Sequence, residues 1–171
     1  MSMKSNELRE LIGELSEGAY LKAEQIPNLS LYIDQILTLF SEGSPEEQSL
    51  TKSMVNNYSK EKMLRPIKGK KYSREQILQI LLICRLKTTL NMEQIKAVTA
   101  ALMEEEDGEA ALEQILNRAD EQKSLCAETA EKFAELLTAD HPAELILELC
   151  QLSNLLANTA RILAEQNFSG K

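Results

Sequence analysis

Apolar residues recur at every third or fourth position along most of the chain, which is the spacing of amphipathic helices. In the segment that opens at Ser73 and runs to about Thr88, apolar residues lie nearly all round the helix. This pattern predicts a central, buried helix. The other helices predicted for the first two thirds of the chain span residues 6–17, 30–40, 49–62 and 91–102.

Turn-forming residues separate these helices. The segment "SEGSPEEQ" (residues 41–48) contains Gly and Pro and predicts a turn. The segment "LRPIKGKKY" (residues 64–72) has no period and contains Pro66 and Gly69, so we expect a loop or a very short hairpin. Three predicted helices begin at a side chain that can cap them, namely Ser30, Ser73 (in a capping box with Gln76) and Asn91. The inner face of the helix after Asn91 is predicted to contain Met92, Ile95, Val98 and Leu102.

The last third of the chain predicts two long helices joined by a tight turn. A heptad-like pattern runs from 108 to 138, and Asp140 with Pro142 predicts the start of the next helix, which continues to about Asn167. The seam positions are Leu112, Ala119, Cys126 and Phe133, then Leu116, Ala130 and Leu137, with Lys123 as an interruption. The last helix has a wide apolar face formed by Leu145, Leu149, Leu152, Leu156 and Leu163, with Ile146, Leu155 and Ile162 beside it. Because a two-helix hairpin cannot bury so wide a face alone, we expect it to pack on the N-terminal region or on a second copy of the chain.

Composition agrees with an all-α, or nearly all-α, folded protein. Apolar residues make up 43% and charged residues 27% of the 171 positions, and Gly and Pro are scarce. The three cysteines are far apart in the sequence and lie in apolar runs, which predicts small buried side chains rather than metal ligands. The N-terminus is polar, and no apolar run approaches the length of a membrane span, so we expect a soluble cytoplasmic protein without a cofactor.

Positive charge is concentrated in one short segment. Residues 51–73, "TKSMVNNYSKEKMLRPIKGKKYS", contain seven basic residues and one acid, a net charge of +6 in a chain of net charge −8. The remainder of the chain therefore carries −14. An acidic remainder repels nucleic acid and leaves one face able to approach it.

A helical wheel divides the first part of this segment into two faces. Leu50, Met54, Val55 and Tyr58 gather on one side, and Lys52, Asn56, Ser59 and Lys60 gather on the other. Lysine can contact phosphates or guanine, and asparagine matches the donor and acceptor edge of adenine. The lysines and the arginine that follow lie on the predicted loop, where they can reach a phosphate backbone.

The order of helix, turn, basic helix, basic loop and buried helix is that of a winged helix-turn-helix. The segment "SLTKSMVNNYSKEKMLRPIKGKKYSREQILQILLICRLKTTLNMEQIKAV" resembles the DNA-binding half of MerR-type transcription regulators. Together with "IPNLSLYIDQILTLF", it is also similar to the bacterial family known as domain of unknown function 1836. The resemblance covers residues 26–102. The matching positions are Val55, Tyr58, Met63, Leu64, Pro66, Tyr72, Ser73, Ile77, Arg85, Leu86, Asn91, Met92, Glu93 and Ile95.

The resemblance implies a dimer that binds duplex DNA and is joined through its C-terminal helices. With the acidic segment "EEEDGE" (residues 104–109) as the boundary between two regions, we expect an N-terminal helix and linker (1–28), a MerR-like domain with a basic wing (29–103) and a C-terminal helical hairpin for dimerisation (104–171). The DNA contacts are predicted at Lys52, Asn56, Asn57, Tyr58, Ser59, Lys60, Arg65, Lys68, Lys70 and Lys71. The chain departs from the MerR pattern in having Asn56 and Asn57 before the aromatic residue and Lys62 where glycine is usual.

Other functions are weighed against DNA binding. A helical adaptor that keeps the fold without binding DNA is the alternative, favoured by the hairpin and the acidic exterior. An enzyme is not expected, because His141 is the single histidine and no catalytic arrangement is readable. The acidic segment "EEEDGE" (residues 104–109) lacks the spacing of a metal-binding loop. A small-molecule effector is left open, since no residue selects a ligand.

Overall fold

The computed structural model shows a mostly helical protein. It describes residues 21–42, 50–104, 107–121 and 142–168, with isolated helical positions at 7–8, 10–11, 14, 125, 128–129 and 132. Residues 43–48 of the predicted turn, the cap at Asp140 and the seam positions from 119 to 137 fall on residues, or on side chains, outside this set. Ser41 and Glu42, which the sequence pattern predicts for the turn, instead end a helix that runs from Ile33 to Glu42. Within the described residues the only sheet is a pair of two-residue strands, so the predicted all-α class is confirmed in its coarse form.

The elements follow one another in a simple order. A 3-10 helix (Ala23–Gln25) precedes strand β1 (Leu31–Tyr32) and helix α1 (Ile33–Glu42). Helix α2 (Lys52–Lys60) leads into a segment of residues 61–70, which we call the basic loop, and then into strand β2 (Lys71–Tyr72). Helices α3 (Arg74–Leu86), α4 (Met92–Met103), α5 (Gly108–Glu121) and α6 (Pro142–Phe168) complete the described part of the chain.

Helix α3 is the centre of the core, as its sequence predicts. Every residue from Gln76 to Cys84 is buried, including the two glutamines at 76 and 79. The helix begins at a capping box, because Ser73 Oγ accepts the N–H of Gln76 while Gln76 Oε1 accepts the N–H of Ser73. Asn91 and Gln94 start α4 in the same way.

The two short strands pair in an antiparallel manner and bring distant segments together. Leu31 lies opposite Tyr72, and Tyr32 lies opposite Lys71. The end of the basic loop is thereby fixed beside the start of α1 rather than folded into a hairpin of its own. This pairing also moves the start of α1: Ser30 is not its cap, and Gln35 Oε1 instead accepts the N–H of Tyr32.

Three arginines tie the outer elements to α3. Arg74 donates to the carbonyl oxygens of Ala23 and Ile26 and forms ion pairs with Glu109 and Glu113 on α5. Arg85 donates to the carbonyl oxygens of Leu21 and Leu116. Arg65, in the basic loop, is bound to α3 and to the end of α4. The core cluster accordingly includes residues from 21–26, from α3 and from both C-terminal helices α5 and α6.

Helix α6 packs through its small residues and leaves its large ones outside. Ala164 is buried, Ala160 packs against the core, and Gln94 on α4 donates to Glu165. By contrast, several large apolar side chains are more than half exposed. These are Ile146, Leu147, Leu155, Leu156, Ile162 and Leu163. The leucine face predicted for this helix therefore does not meet the N-terminal region along its whole length.

Two further details correct the sequence-based picture. Met92, predicted for the inner face of α4, is 40% exposed, while Thr99 of the same helix is buried and bonds to the carbonyl oxygen of Ile95. Cys84 is buried as predicted, but Cys150 is exposed. Both errors concern helices whose orientation is set by contacts with distant segments, which the local period does not specify.

Candidate nucleic-acid interface

Helix α2 has one buried face and one exposed face. Val55 and Tyr58 are buried and Met54 is half-buried, whereas Lys52, Asn56 and Lys60 are exposed. This division agrees with the helical wheel. The helix starts at Thr51, whose hydroxyl oxygen accepts the N–H of Met54 at 3.2 Å. The buried side therefore fixes which side chains α2 presents to solvent.

Two of the predicted contacts on α2 are held by the protein itself. Ser59 is half-buried, and its hydroxyl donates to the carbonyl oxygen of Val55 at 3.1 Å. Tyr58 is 4% exposed and belongs to the core cluster, so it anchors the helix and offers no surface to a duplex. Asn57 is exposed beside Asn56. The exposed polar face of α2 thus includes Lys52, Ser53, Asn56, Asn57 and Lys60.

Burial changes the acidity of the groups behind α2. Desolvation raises the pKa of Tyr58 to about 12, with a further increase from the nearby Cys84. Burial likewise raises the pKa of the Cys84 thiol to about 11. The pKa of Tyr72 is also raised by burial, against the opposing effect of its hydrogen bond with Ser59. Tyr58, Cys84 and Tyr72, the ionisable groups behind α2, are therefore neutral at pH 7.

The end of α2 has a backbone conformation that is uncommon for a residue with a side chain. Lys62 has φ of +58°, in the left-handed region. The N–H of Met63 donates to the carbonyl oxygen of Tyr58, and the N–H of Lys62 donates to that of Ser59. These two bonds form a Schellman motif, in which glycine usually occupies the position of Lys62. The departure noted at Lys62 in the sequence thus coincides with the turn that starts the basic loop.

The lysines of the basic loop are exposed, whereas its arginine is bound to other parts of the protein. Lys68 and Lys70 are exposed on either side of Gly69, which has φ of +83°. Arg65 is half-buried, and its guanidinium donates to Glu75 Oε1 and to the carbonyl oxygen of Met103. The sequence predicts Arg65 as a phosphate contact, but in this structure its Nε and Nη2 atoms donate to the protein.

Lys71, at the end of the loop, lies over an aromatic ring. Its Nζ atom is 4.9 Å from the centroid of the Tyr32 ring, and Tyr32 is 48% exposed. A cation and an exposed aromatic ring in this geometry attract each other by about 0.5–1 kcal/mol. Sequence reasoning did not select Tyr32, because the contact depends on the pairing of β1 with β2. A cleft of about 700 Å³ opens beside these residues, with Arg65, Lys68 and Lys71 in its lining.

Charge on this surface is mostly uncompensated. Among the described residues, Lys52, Lys60, Lys62, Lys68 and Lys70 form no ion pair. The acid of the segment, Glu61, lies 3.5 Å from Nζ of Lys96 in an exposed ion pair. The helix and loop therefore present a group of free ammonium groups beside exposed amide side chains.

The described residues show two absences. They contain no group of three or more His, Cys, Asp or Glu side chains that could hold a metal ion. No helix in this part of the chain is long and apolar enough to cross a membrane.

Comparison with known proteins gives a family. Searches of curated proteins and of solved structures find no match. The family model described as Domain of unknown function (DUF1836) matches residues 21–119, from the segment before the 3-10 helix into α5. Because the match covers more than half of the 171 residues, the chain belongs to the DUF1836 family.

Proposed function

We propose that the protein is a DNA-binding transcription regulator that contacts duplex DNA through α2 and the basic loop. The observation that carries the proposal is the group of exposed lysines without acidic partners on one short segment of an acidic chain. The role we infer is one of binding rather than catalysis. In this proposal α1, α2 and the basic loop correspond to a winged helix-turn-helix of the MerR-like kind.

The dimensions of α2 suit a groove. It is a nine-residue helix, and a helix with its side chains is about 10–12 Å across, which fits the roughly 12 Å width of the major groove. Lys52, Asn56 and Lys60 follow one another at intervals of four residues, so they lie along one side of the helix. In the proposed complex the asparagine amides contact base edges, and the lysines contact phosphates on either side.

The basic loop would add contacts without sequence information. Lys68 and Lys70 are exposed at the tip of the loop, where they can reach the phosphate backbone. Lys71 is held over Tyr32, which limits the positions its charge can take. Because the remainder of the chain is acidic, other faces of the protein are repelled by DNA.

The proposal is tested by fluorescence anisotropy with a labelled random-sequence duplex at about 50–100 mM salt, where phosphate contacts give measurable binding. The variant Lys52→Ala/Lys60→Ala should bind at least about tenfold more weakly. The variant Arg118→Ala/Lys132→Ala removes the same charge from two other exposed positions and should bind like the parent. Equal loss in both variants would show that only net charge matters, and the assignment of α2 would be wrong.

We also propose that the protein acts as a homodimer joined through α6. Leu155, Leu156, Ile162 and Leu163 are 51–63% exposed and lie on one side of this helix. They are placed symmetrically about Thr159, so in an antiparallel pair of helices Leu155 would face Leu163 of the second copy and Leu156 would face Ile162. A two-fold interface requires such self-complementarity. Residues 149–160 contain no charge, which allows two acidic chains to approach there.

Sedimentation velocity tests the dimer. Leu156→Lys/Leu163→Lys should sediment as a monomer with an unchanged helical circular dichroism spectrum, because both side chains are exposed in a single chain. Ile146→Lys/Leu147→Lys changes two equally exposed residues nearer the start of α6 and should remain dimeric. A monomeric parent would contradict this part of the proposal and leave DNA binding to be judged by its own test.

The second candidate function is a helical adaptor that does not bind DNA. The exposed leucines of α6 favour it, since an apolar face of this kind also suits a different protein. The duplex-binding experiment separates the two functions. An adaptor gives no binding to any duplex at low salt, whereas the regulator gives binding that weakens steeply as salt is added.

A further inference from the structure

The start of the basic loop is fastened to α3 by two buried glutamines. The backbone N–H of Arg65 donates to Gln79 Oε1 at 2.9 Å. Nε2 of Gln76 donates to the carbonyl oxygens of Arg65 and Pro66, both at 3.1 Å. Gln76 and Gln79 are 5% and 1% exposed, so these bonds are protected from water. The loop therefore leaves the core from a fixed point.

The side chain of Arg65 joins this point to a second helix. Its Nε donates to Glu75 Oε1 on α3, and its Nη2 donates to the carbonyl oxygen of Met103 at 3.0 Å. Met103 is the last residue of α4, where a cation interacts favourably with the unpaired carbonyl groups of the helix. The planar guanidinium makes the two contacts from two different nitrogens, whereas a lysine would have to make both from one.

Helix α5 begins directly against this ion pair. Gly108 is buried, and a Cβ atom at this position would lie 2.7 Å from Glu75 Oε1 and 3.0 Å from Arg65 Nη2. The first distance is shorter than a carbon atom tolerates and the second is tighter than nearly all real contacts, so a side chain at position 108 must shift the Glu75 carboxylate and press on the Arg65 guanidinium. The start of α5 and the root of the basic loop are thus in contact through two side chains.

We propose that Arg65 is a positioning residue: the contact of Arg65, Glu75, Met103 and Gly108, here called the Arg65 clamp, sets the basic loop for DNA and couples it to α5. The inference rests on the proposed function for its DNA readout. It gives Arg65 a different role from the phosphate contact predicted by the sequence. A displacement of α5 relative to α3 would be transmitted to the loop through Gly108.

The two roles for Arg65 predict opposite effects of Glu75→Gln. This change removes a negative charge beside the basic loop and frees the guanidinium. If Arg65 contacts phosphate, the variant should bind DNA more tightly than the parent. If Arg65 positions the loop, the variant should bind more weakly, about threefold or more, because the lysines lose their fixed arrangement. Glu104→Gln removes the same charge from an exposed residue next to Met103 and serves as the matched control.

A second readout does not depend on DNA. The amide of Arg65 should exchange with solvent at least about tenfold faster in Glu75→Gln and in Gly108→Ala, because its local opening becomes easier. The amides of α2 should keep the parent's rates in both variants. Gly108→Ala changes no charge, so loss of DNA affinity in this variant also cannot be electrostatic.

The experiment measures duplex anisotropy and hydrogen exchange for the full-length parent, Glu75→Gln, Glu104→Gln, Gly108→Ala and Arg65→Lys. The clamp is supported if Glu75→Gln, Gly108→Ala and Arg65→Lys bind the duplex more weakly than the parent and exchange the amide at position 65 faster, while Glu104→Gln behaves like the parent. Tighter binding by Glu75→Gln, or parent-like binding by Arg65→Lys, would overturn it. If the parent binds no duplex, the proposed function fails, and unchanged exchange at Arg65 in the variants would separately overturn the clamp. If Glu75→Gln or Gly108→Ala does not fold, Arg65→Lys still tests the clamp.

Discussion

The arginines around α3 and the lysines of α2 and the basic loop carry the same charge but occupy opposite environments. Arg65, Arg74 and Arg85 each donate to groups on other elements of the protein. Lys52, Lys60, Lys68 and Lys70 are exposed, and within the described residues they form no ion pair. A guanidinium offers five donors in a rigid plane and suits joints between elements, whereas a flexible ammonium suits a solvated surface.

This difference shows that the net charge of a segment overstates the number of cations available to a binding partner. Of the seven basic residues in 51–73, Arg65 is paired with Glu75, and Lys71 lies over Tyr32. The cations left for a partner are the lysines on the exposed side of α2 and in the loop. The contrast between structural arginines and surface lysines would be contradicted if one of these arginines proved dispensable for the fold. It would also be contradicted if one of these lysines proved essential for the fold.

The largest expected effect on stability is that of Arg74→Ala. Its side chain is 12% exposed, and it joins α3 to Glu113 and Glu109, which together raise its pKa, and to the segment before α1. Removing it leaves partly buried carboxylates without a partner and should lower the free energy of unfolding by about 3 kcal/mol. Urea denaturation measures the change.

Arg161→Ala is the matched control for Arg74→Ala. Arg161 is exposed and donates to the carbonyl oxygen of Thr89 and to Asn158. Its loss should cost less than about 1 kcal/mol. If Arg74→Ala and Arg161→Ala lose the same free energy of unfolding, arginines that join elements contribute no more to stability than exposed ones. That result would contradict the contrast drawn above.

The next largest effect concerns alkaline pH. The pKa of Tyr58 is raised from 10 to about 12 and that of Cys84 from 9 to about 11, because burial disfavours their charged forms. Both groups ionise more easily in the unfolded chain. Their contribution is therefore complete below pH 9 and falls as the pH rises through 9 to 12, by on the order of a few kcal/mol.

Urea denaturation at pH 8, 9.5 and 11 measures this dependence. Tyr58→Phe/Cys84→Ala should lose less stability between pH 8 and 11 than the parent does. The difference between the two proteins isolates the buried groups from the deprotonation of surface lysines. The same loss of stability in both proteins would show that Tyr58 and Cys84 do not titrate as inferred.

The smallest expected effect is that of Lys62→Gly. The left-handed conformation of Lys62 costs a residue with a side chain about 1–2 kcal/mol, part of which the greater entropy of unfolded glycine offsets. The variant should be about 0.5–1 kcal/mol more stable than the parent in urea. Lys60→Gly, inside the last turn of α2, should instead be about 1 kcal/mol less stable. A destabilised Lys62→Gly would contradict the backbone argument.

Much of the fold follows from local pattern. The caps at Ser73 and Asn91, the buried α3 and the two faces of α2 depend on residues within a turn of one another, and all three agree with the structure. Ser30 was misplaced because β1 pairs with a strand 40 residues away, and Met92 was misplaced because the orientation of α4 depends on its contacts with α3 and α6. These contacts are long-range and leave no periodic signal.

The candidate site divides in the same way. The exposure of the lysines could be predicted from the wheel and from the lack of period in the loop. The wheel also places Tyr58 on the buried side, against its selection as a DNA contact, but the engagement of Arg65 by Glu75 and the position of Lys71 over Tyr32 could not be predicted, since each depends on a tertiary contact. The DNA contacts themselves stay a prediction.

The central claim is that the lysines of α2 and the basic loop contact phosphates. The most direct test is the slope of the logarithm of duplex affinity against the logarithm of salt concentration, for the parent and for Lys52→Ala/Lys60→Ala/Lys68→Ala/Lys70→Ala. Each phosphate contact contributes about −0.9 to this slope. We expect the variant to keep the parent's stability and to lose up to about four such contributions. An equal slope in the two proteins, or a parent that binds no duplex, would contradict the account.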